Sequence, residues 1–203
     1  MHDSLARSGP VTNMAYRDER MHRRFQSVVR AVIGGSRVLD VACGSGTLME
    51  AVKAKGCDVR GIDINPAAIA LAKTKGLAVI LGDVNSFDSD PTVHDLMFAD
   101  FDVMIFSKCL GQLRRKNELF RLLRTPRILV VQANPLQWKR RFNHWRAGYP
   151  AAKNPYVTAD GATVDARTMD GMRRWAQSYG YRLSVLHGGL FRSRDAVFEL
   201  MRL

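Results

Sequence analysis

The chain has 203 residues, 46% of them hydrophobic, and a formal net charge of +12 at pH 7. This length and apolar content suit one domain, expected over residues 1–203, and no apolar run approaches the roughly 20 residues that span a bilayer. The three cysteines, Cys43, Cys57 and Cys109, are odd in number and lack the spacing of a zinc site. We therefore expect a reducing compartment, the cytoplasm, with no disulfide framework and no membrane association.

Basic residues cluster at 17–30, 114–127 and 138–146. A basic face steers anionic ligands or nucleic acid, although an ordinary solvated surface has the same composition. Charge alone names no partner. We expect residues 1–30 to form a basic helical extension of the domain and residues 134–167 to form a substrate or lid segment.

Five apolar runs of strand length alternate with helical patterns, at 37–42, 58–64, 77–83, 101–107 and 127–133. Continuous apolar strands separated by helices are typical of a parallel sheet covered on both faces. Two further runs, at 181–187 and 196–203, are joined by a short connection and predict a hairpin. The sequence therefore predicts an α/β fold: a Rossmann-like, seven-stranded, mostly parallel sheet with a C-terminal antiparallel hairpin and helices on both faces.

Two helices are punctuated clearly. Between the second and third strands, Asn65 serves as N-cap, Pro66 occupies the first turn and Gly76 is a stop signal. Later in the chain, Thr168 is placed to cap a helix that ends at Gly180.

Glycines follow the first strand in the stretch RVLDVACGSGTLMEAV, residues 37–52. Ligands of open α/β sheets bind beyond the carboxyl ends of the strands, where Gly44 and Gly46 allow a sharp turn and a close approach. A P-loop would need GxxxxGK[ST], which this stretch lacks. A dinucleotide fingerprint would need a third glycine where Met49 stands.

Acidic residues end or nearly end three successive strands: Asp40, Asp63 and Asp83. A carboxylate at Asp63 can accept both hydroxyls of a ribose, and one at Asp83 can accept the exocyclic amino group of adenine. The competing interpretations are a helix cap for Asp63 and a turn-forming residue for Asp83. Three carboxylates disfavour a polyphosphate and favour a ligand with a ribose, an adenine and a cationic centre.

The segments VLDVACGSG, GIDINPAAIALAK, LGDVNSF and FDVMIFSKCL resemble the first four motifs of the class I S-adenosylmethionine-dependent methyltransferases. The resemblance implies S-adenosylmethionine as cofactor. It also implies a set of binding residues: Asp40 and the turn through Ala42, Cys43, Gly44 and Gly46 for the methionyl end, Asp63 for the ribose with Ile64 as a further contact, Asp83 and Val84 for the adenine, and Ser107 facing the sulfonium or the substrate. Ala42 stands where that family commonly has glycine.

A narrower likeness extends over most of 37–187. FSKCLGQLRR, ANPLQWKRRFNHWRAGYP and PYVTADGATVDARTMDGMRRWAQSYGYRL are similar to the methionine-biosynthesis protein W (MetW) family. After the fifth strand, Asn134 and Trp138 match the family pattern, whereas Asp165 stands where a histidine is expected. Membership would imply association with a homoserine acyltransferase in methionine biosynthesis.

Three functions follow as expectations. The first is methyl transfer from S-adenosylmethionine to a small-molecule acceptor. The second is a MetW-like, cofactor-binding partner or activator of homoserine acyltransferase. The third, an RNA methyltransferase, is disfavoured for amine methylation because FSKC stands after the fourth strand, where a [DN]PP[YFW] tetrad is usual.

No catalytic residue is assigned. The cofactor already carries an activated methyl group, so the reaction needs no nucleophile from the protein. A general base helps only if the acceptor is protonated at neutral pH. Acceptor contacts are expected from Tyr149, Tyr156, Asp160 or Asp165. No metal site is expected, since His94, His144 and His187 are scattered without ligand spacing.

Overall fold

A computed structural model describes residues 18–133, 156–157, 163–164, 169–187 and 195–203. Six helices lie in these ranges: α1 Asp18–Ala31, α2 Thr47–Lys53, α3 Pro66–Thr74, α4 Pro91–Met97, α5 Lys116–Leu122 and α6 Met169–Gln177. The strands are β1 Arg37–Val41, β2 Asp58–Asp63, β3 Ala78–Leu81, β4 Val103–Ser107, β5 Arg127–Ala133, β6 Tyr156–Val157, β7 Thr163–Val164, β8 Tyr181–His187 and β9 Asp195–Arg202. Among these ranges, no helix has both the length and the apolar character that crossing a bilayer requires.

Seven strands form one sheet in the order β3-β2-β1-β4-β5-β9-β8. Strands β1 to β5 are parallel, β9 pairs antiparallel with β5, and β8 pairs antiparallel with β9. The predicted fold class is confirmed, including the terminal hairpin. The last strand of the chain is inserted between β5 and β8, so the hairpin joins the sheet through β9.

The core has one apolar cluster on each face of the sheet. Leu39 and Val41 of β1 belong to the cluster that contains α4, α5 and α6, whereas Val38 belongs to the cluster of α1, α2 and α3. Alternate strand residues point to opposite faces. Both faces of the central strands are therefore covered, which explains the apolar runs of β4 and β5.

The predicted start of α3 is confirmed in detail. The Asn65 side chain accepts hydrogen bonds from the backbone N–H groups of Ala67 and Ala68, and Pro66 is the first helical residue. Gly76 follows the helix with a left-handed φ of 67°. At α6, Gly180 also adopts a positive φ of 77°, but the predicted cap Thr168 lies outside the described residues.

Helix α1, part of the expected N-terminal extension, packs on the sheet through the fully buried Val28, and Val32, directly after the helix, is almost fully buried in the same apolar cluster. Lys55 donates to the backbone carbonyl of Val29 at 2.7 Å and also to that of Val32, at the C-terminal end of the helix. A cation at this end satisfies carbonyls that the helix leaves without partners. Of the expected lid, residues 134–167, the structure describes the short β6–β7 pair; the rest lies outside the described residues.

Candidate functional site

The site predicted from sequence lies at the carboxyl edge of the parallel strands. Strand order reverses between β1, which leads to β2 and β3 on one side, and β4, which leads to β5 on the other. A crevice forms at such a switch point because the connections leave in opposite directions. The ends of β1, β2, β3 and β4 therefore meet here.

The turn after β1 has a left-handed backbone at three residues: Ala42 with φ 59°, Gly44 with φ 56° and Gly46 with φ 78°. It is tied to β2 because the Cys43 N–H donates to the carbonyl of Ile62 at 3.0 Å. The alanine at position 42 thus adopts a conformation that costs roughly 1–2 kcal/mol for an L-residue.

The two glycines are needed for different reasons. A Cβ on Gly46 would lie 2.2 Å from Leu77 Cδ1, so this glycine permits close packing of the turn against the α3–β3 connection. A Cβ on Gly44 would meet no atom of the described residues within 4 Å. Gly44 therefore borders open space, where its lack of a side chain leaves room for a ligand against the backbone.

Asp63, the last residue of β2, binds two backbone amides. Its Oδ2 accepts the Gly44 N–H and its Oδ1 accepts the Asn65 N–H, both at 2.8 Å. Asp63 thus joins the glycine turn to the start of α3, while the N-cap of α3 is Asn65. Each carboxylate oxygen has a second lone pair, which leaves capacity for ribose hydroxyls.

Next to Asp63, the Ile64 side chain is 65% exposed. Beyond β3, Asp83 caps a short 3₁₀ turn, Val84–Ser86, in which Val84 is buried. The predicted contacts Asp63, Ile64, Asp83 and Val84 therefore lie at the ends of two hydrogen-bonded strands.

Asp40 is the most unusual group of the site. Its side chain is 1% exposed, and Oδ1 has no hydrogen-bond partner among the described residues. Burial, and secondarily the charge of Asp63, raise the pKa of Asp40 to about 8. A buried carboxyl oxygen without a hydrogen-bond partner is costly, so the arrangement fits a ligand that brings a donor or a positive charge near the turn.

The cysteines near the turn are packed side chains. Burial, followed by the charges of Asp40 and Asp63, raises the pKa of the Cys43 thiol to about 12. The pKa of the Cys109 thiol is raised for the same main reason, and its sulfur lies 3.5 Å from the Val41 carbonyl oxygen. Both stay protonated at neutral pH, which makes them poor nucleophiles.

Strand β4 ends at the half-buried Ser107, and the next residue, Lys108, has a left-handed φ of 59°. The Lys108 N–H donates to the Val131 carbonyl at 2.7 Å, and its ammonium lies 3.0 Å from Asp195 Oδ1 at the start of β9. Sequence reasoning missed this cation, because no local pattern indicates a left-handed lysine or its distant partner.

The basic run after β4 is largely engaged within the protein. Arg115 pairs with Asp88 at 2.5 Å and with Glu118, and Lys116 is only 8% exposed. The corresponding run at 139–141 lies outside the described residues, as do Tyr149, Asp160 and Asp165. No group of metal-binding side chains occurs in the described part of the chain.

A family model described as methionine biosynthesis protein MetW matches residues 22–171, about three quarters of the chain. The chain belongs to the MetW family. Its likeness to curated proteins is shorter: ubiquinone biosynthesis O-methyltransferase of Hahella chejuensis is 46% identical over 48 residues, 24% of this chain and 20% of that protein. The same enzyme of Pseudomonas putida is 48% identical over 44 residues, 22% and 19% of the two chains. The chain thus matches about a fifth of these relatives' length.

Solved structures match this MetW-family chain over much more of its length. A S-adenosylmethionine-dependent methyltransferase from Archaeoglobus fulgidus has a TM-score of 0.66 at 18% identity, covering 91% of this chain and 94% of that one. Magnesium protoporphyrin IX methyltransferase from Synechocystis, with bound S-adenosylhomocysteine, has a TM-score of 0.62 at 16% identity, covering 96% and 89%. The chain has the fold of these methyltransferases, as its motifs predict.

Proposed function

We propose that this MetW-family protein is an S-adenosylmethionine-dependent methyltransferase that acts on a small-molecule acceptor. The observation that carries the proposal is the space beside Gly44, whose N–H is held by Asp63 Oδ2, at the sheet edge where the strands preceding or containing Asp40, Asp63 and Asp83 run side by side. Carboxylates at three strand ends suit a ligand with a cationic end, a ribose and an adenine, and disfavour a polyphosphate. The bound S-adenosylhomocysteine named for the Synechocystis structure supports the same cofactor class.

In this proposal, the residues of the chain bind and orient. Asp40 faces the cationic methionyl end, Gly44 lets the backbone approach it, and Asp63 accepts from the ribose hydroxyls. Asp83 and the Val84 N–H recognise the adenine, with Ile64 packing against it. When bound, the cofactor supplies a methyl group already activated on a sulfonium.

The acceptor would lie beyond Ser107, where β4 ends. There the protein's task is to place the acceptor atom in line with the transferred methyl group and to exclude water. Curated relatives named for ubiquinone biosynthesis suggest that a hydroxyl oxygen is the first acceptor atom to test.

A second function is favoured by the family match over residues 22–171. In it, the protein binds the cofactor and serves as a partner of homoserine acyltransferase in methionine biosynthesis. Both functions need the same cofactor site and differ in what the loaded protein does.

One experiment separates them. The purified protein is incubated with S-adenosylmethionine labelled in the methyl group, in separate reactions with small metabolites including ubiquinone precursors, with RNA, and with homoserine acyltransferase. Label transfer is measured in each reaction, and acyltransferase activity is measured in the third. Label transfer to a small molecule is the expected result. Activation of the acyltransferase without label transfer would favour the second function, and transfer to RNA alone would contradict both.

A further inference from the structure

The Asn85 side chain links the turn after β3 to the segment after β4. Its Nδ2 donates to Asp83 Oδ1 at 2.9 Å, and its Oδ1 accepts the Arg114 N–H at 2.8 Å, 29 residues later in the chain. A carboxylate can only accept and a backbone N–H can only donate, so these two contacts fix the orientation of the amide. Asn85 is thereby held on both sides.

This link determines which oxygen of Asp83 is open. Oδ1 receives two donors from the same residue, the Asn85 N–H and Nδ2, both at 2.9 Å. Its two lone pairs are then used, whereas the described residues place no donor on Oδ2. With one oxygen anchored, rotation of the carboxylate is restricted and Oδ2 is left as the acceptor for a ligand.

The far end of the same turn is held independently. Arg115 pairs with Asp88 at 2.5 Å, and its guanidinium carbon lies 4.9 Å from the centre of the Phe87 ring. None of these contacts involves Asp83. The turn is therefore attached twice: Asn85 contacts the Asp83 carboxylate, and Arg115 does not. Substitutions at the two attachments can distinguish the orientation of the Asp83 carboxylate from the general stiffness of the turn.

We propose that Asn85 is a positioning residue that aims Oδ2 of Asp83 at the 6-amino group of adenine, and that it thereby makes the site select 6-aminopurines. This inference rests on the proposed function, because it takes Asp83 as the adenine acceptor. A neighbouring residue that holds a ligand-binding carboxylate in one orientation reduces the entropy lost on binding and increases discrimination between ligands.

The test compares two ligands: S-adenosylhomocysteine and its analogue with hydrogen in place of the 6-amino group. Calorimetry gives a dissociation constant for each, and their ratio measures recognition of the amino group. We expect the wild type to prefer S-adenosylhomocysteine by tenfold or more. In Asn85→Asp, which keeps an acceptor for the Arg114 N–H but turns an oxygen toward Asp83, the ratio should fall to about twofold or less. Asn85→Ala should give the same loss.

Two variants on the same turn serve as controls. Asp88→Asn weakens the Arg115 attachment, and Ser89→Ala removes an exposed hydroxyl; both should keep the wild-type ratio, with circular dichroism verifying the fold of all variants. An unchanged ratio in Asn85→Asp and Asn85→Ala, or an equal loss in Asp88→Asn, would overturn the role of Asn85 and leave the proposed function standing. Absence of S-adenosylhomocysteine binding by the wild type would overturn the proposed function, and this inference with it.

Discussion

At the scale of single residues, Asp40 stores an electrostatic cost in the ligand-free protein. Its carboxyl is buried and its pKa is raised to about 8, mainly by burial. Between the ordinary pKa near 4 and this value, the folded state binds a proton that the unfolded chain has released. The free energy of unfolding therefore falls as pH rises through this window.

Asp40→Asn should remove this dependence, since an amide does not titrate and has nearly the shape of the protonated acid. The stability of the variant relative to the wild type should grow by about 1 kcal/mol per pH unit between pH 5 and 8 and then level off. Urea unfolding of both proteins across this range measures the difference. A difference that does not vary with pH would show that Asp40 is ionised in the folded state.

Ala42 offers a second test at this scale, because its φ of 59° is left-handed. Ala42→Gly should raise the free energy of unfolding by about 0.5–1 kcal/mol, the relief of backbone strain exceeding the entropy that glycine adds to the unfolded chain. Ala54, with φ −61°, is the matched control: Ala54→Gly should lower stability. If both substitutions destabilise, Ala42 is not strained.

At the scale of elements, close packing of α2 and the glycine turn on β2 depends on Gly61. A Cβ there would lie 2.6 Å from Met49 Sδ and 2.8 Å from Cys43 Sγ. Gly61→Ala should therefore destabilise the protein by about 1–3 kcal/mol, as overpacking does. Adding Met49→Ala should recover part of this loss, so that the double variant is more stable than the sum of the single effects predicts. Additive effects would place the strain elsewhere.

The elements themselves could be predicted where the signal is local. The apolar run at 127–133 coincides with β5, and the Asn65-Pro66 start of α3 is found as predicted. The run at 77–83 is longer than β3, which ends at Leu81, because Gly82 donates to the Asp63 carbonyl and Asp83 caps the next turn.

The position of the candidate site at the strand ends could also be predicted, because acidic strand ends and a glycine turn are sequence features; that these residues bind a cofactor stays a prediction. Contacts between distant segments could not be predicted. The link made by Asn85 is seen only from the hydrogen bond that its side chain accepts from the Arg114 N–H, and the environment of Lys108 only from its ion pair with Asp195. Neither pair can be predicted from local composition or periodicity, because the partners are far apart in the sequence. The double role of Asp63, which binds the Gly44 amide as well as the Asn65 amide, likewise requires the folded sheet.

At the scale of the whole molecule, the net charge is +12, and ion pairs neutralise some of the cations locally. Several cations pair with carboxylates, among them Lys75 with Glu50, Lys108 with Asp195 and Arg115 with Asp88. Such pairs contribute little to stability when exposed, but they reduce the positive field available to a polyanion.

We accordingly predict weak RNA and DNA binding that is lost between low and physiological salt. Affinity for a nucleic acid falls with salt according to the number of phosphates neutralised, so binding measured at several ionic strengths tests this directly. Submicromolar RNA binding at physiological salt, together with transfer of a labelled methyl group to that RNA, would contradict the small-molecule assignment.

The central claim is that the space beside Gly44 receives S-adenosylmethionine, and a matched pair of glycines tests it most directly. Gly44 and Gly56 both have left-handed φ values, 56° and 79°, and a Cβ on either meets no atom within 4 Å in the part of the chain that the structure describes. Gly44→Ala and Gly56→Ala should therefore lose similar stability, about 1 kcal/mol. Calorimetry with S-adenosylhomocysteine should show binding by the wild type and Gly56→Ala, and at least tenfold weaker binding by Gly44→Ala. Equal affinities in the two variants, or binding of ATP or NAD in place of S-adenosylhomocysteine, would contradict the claim.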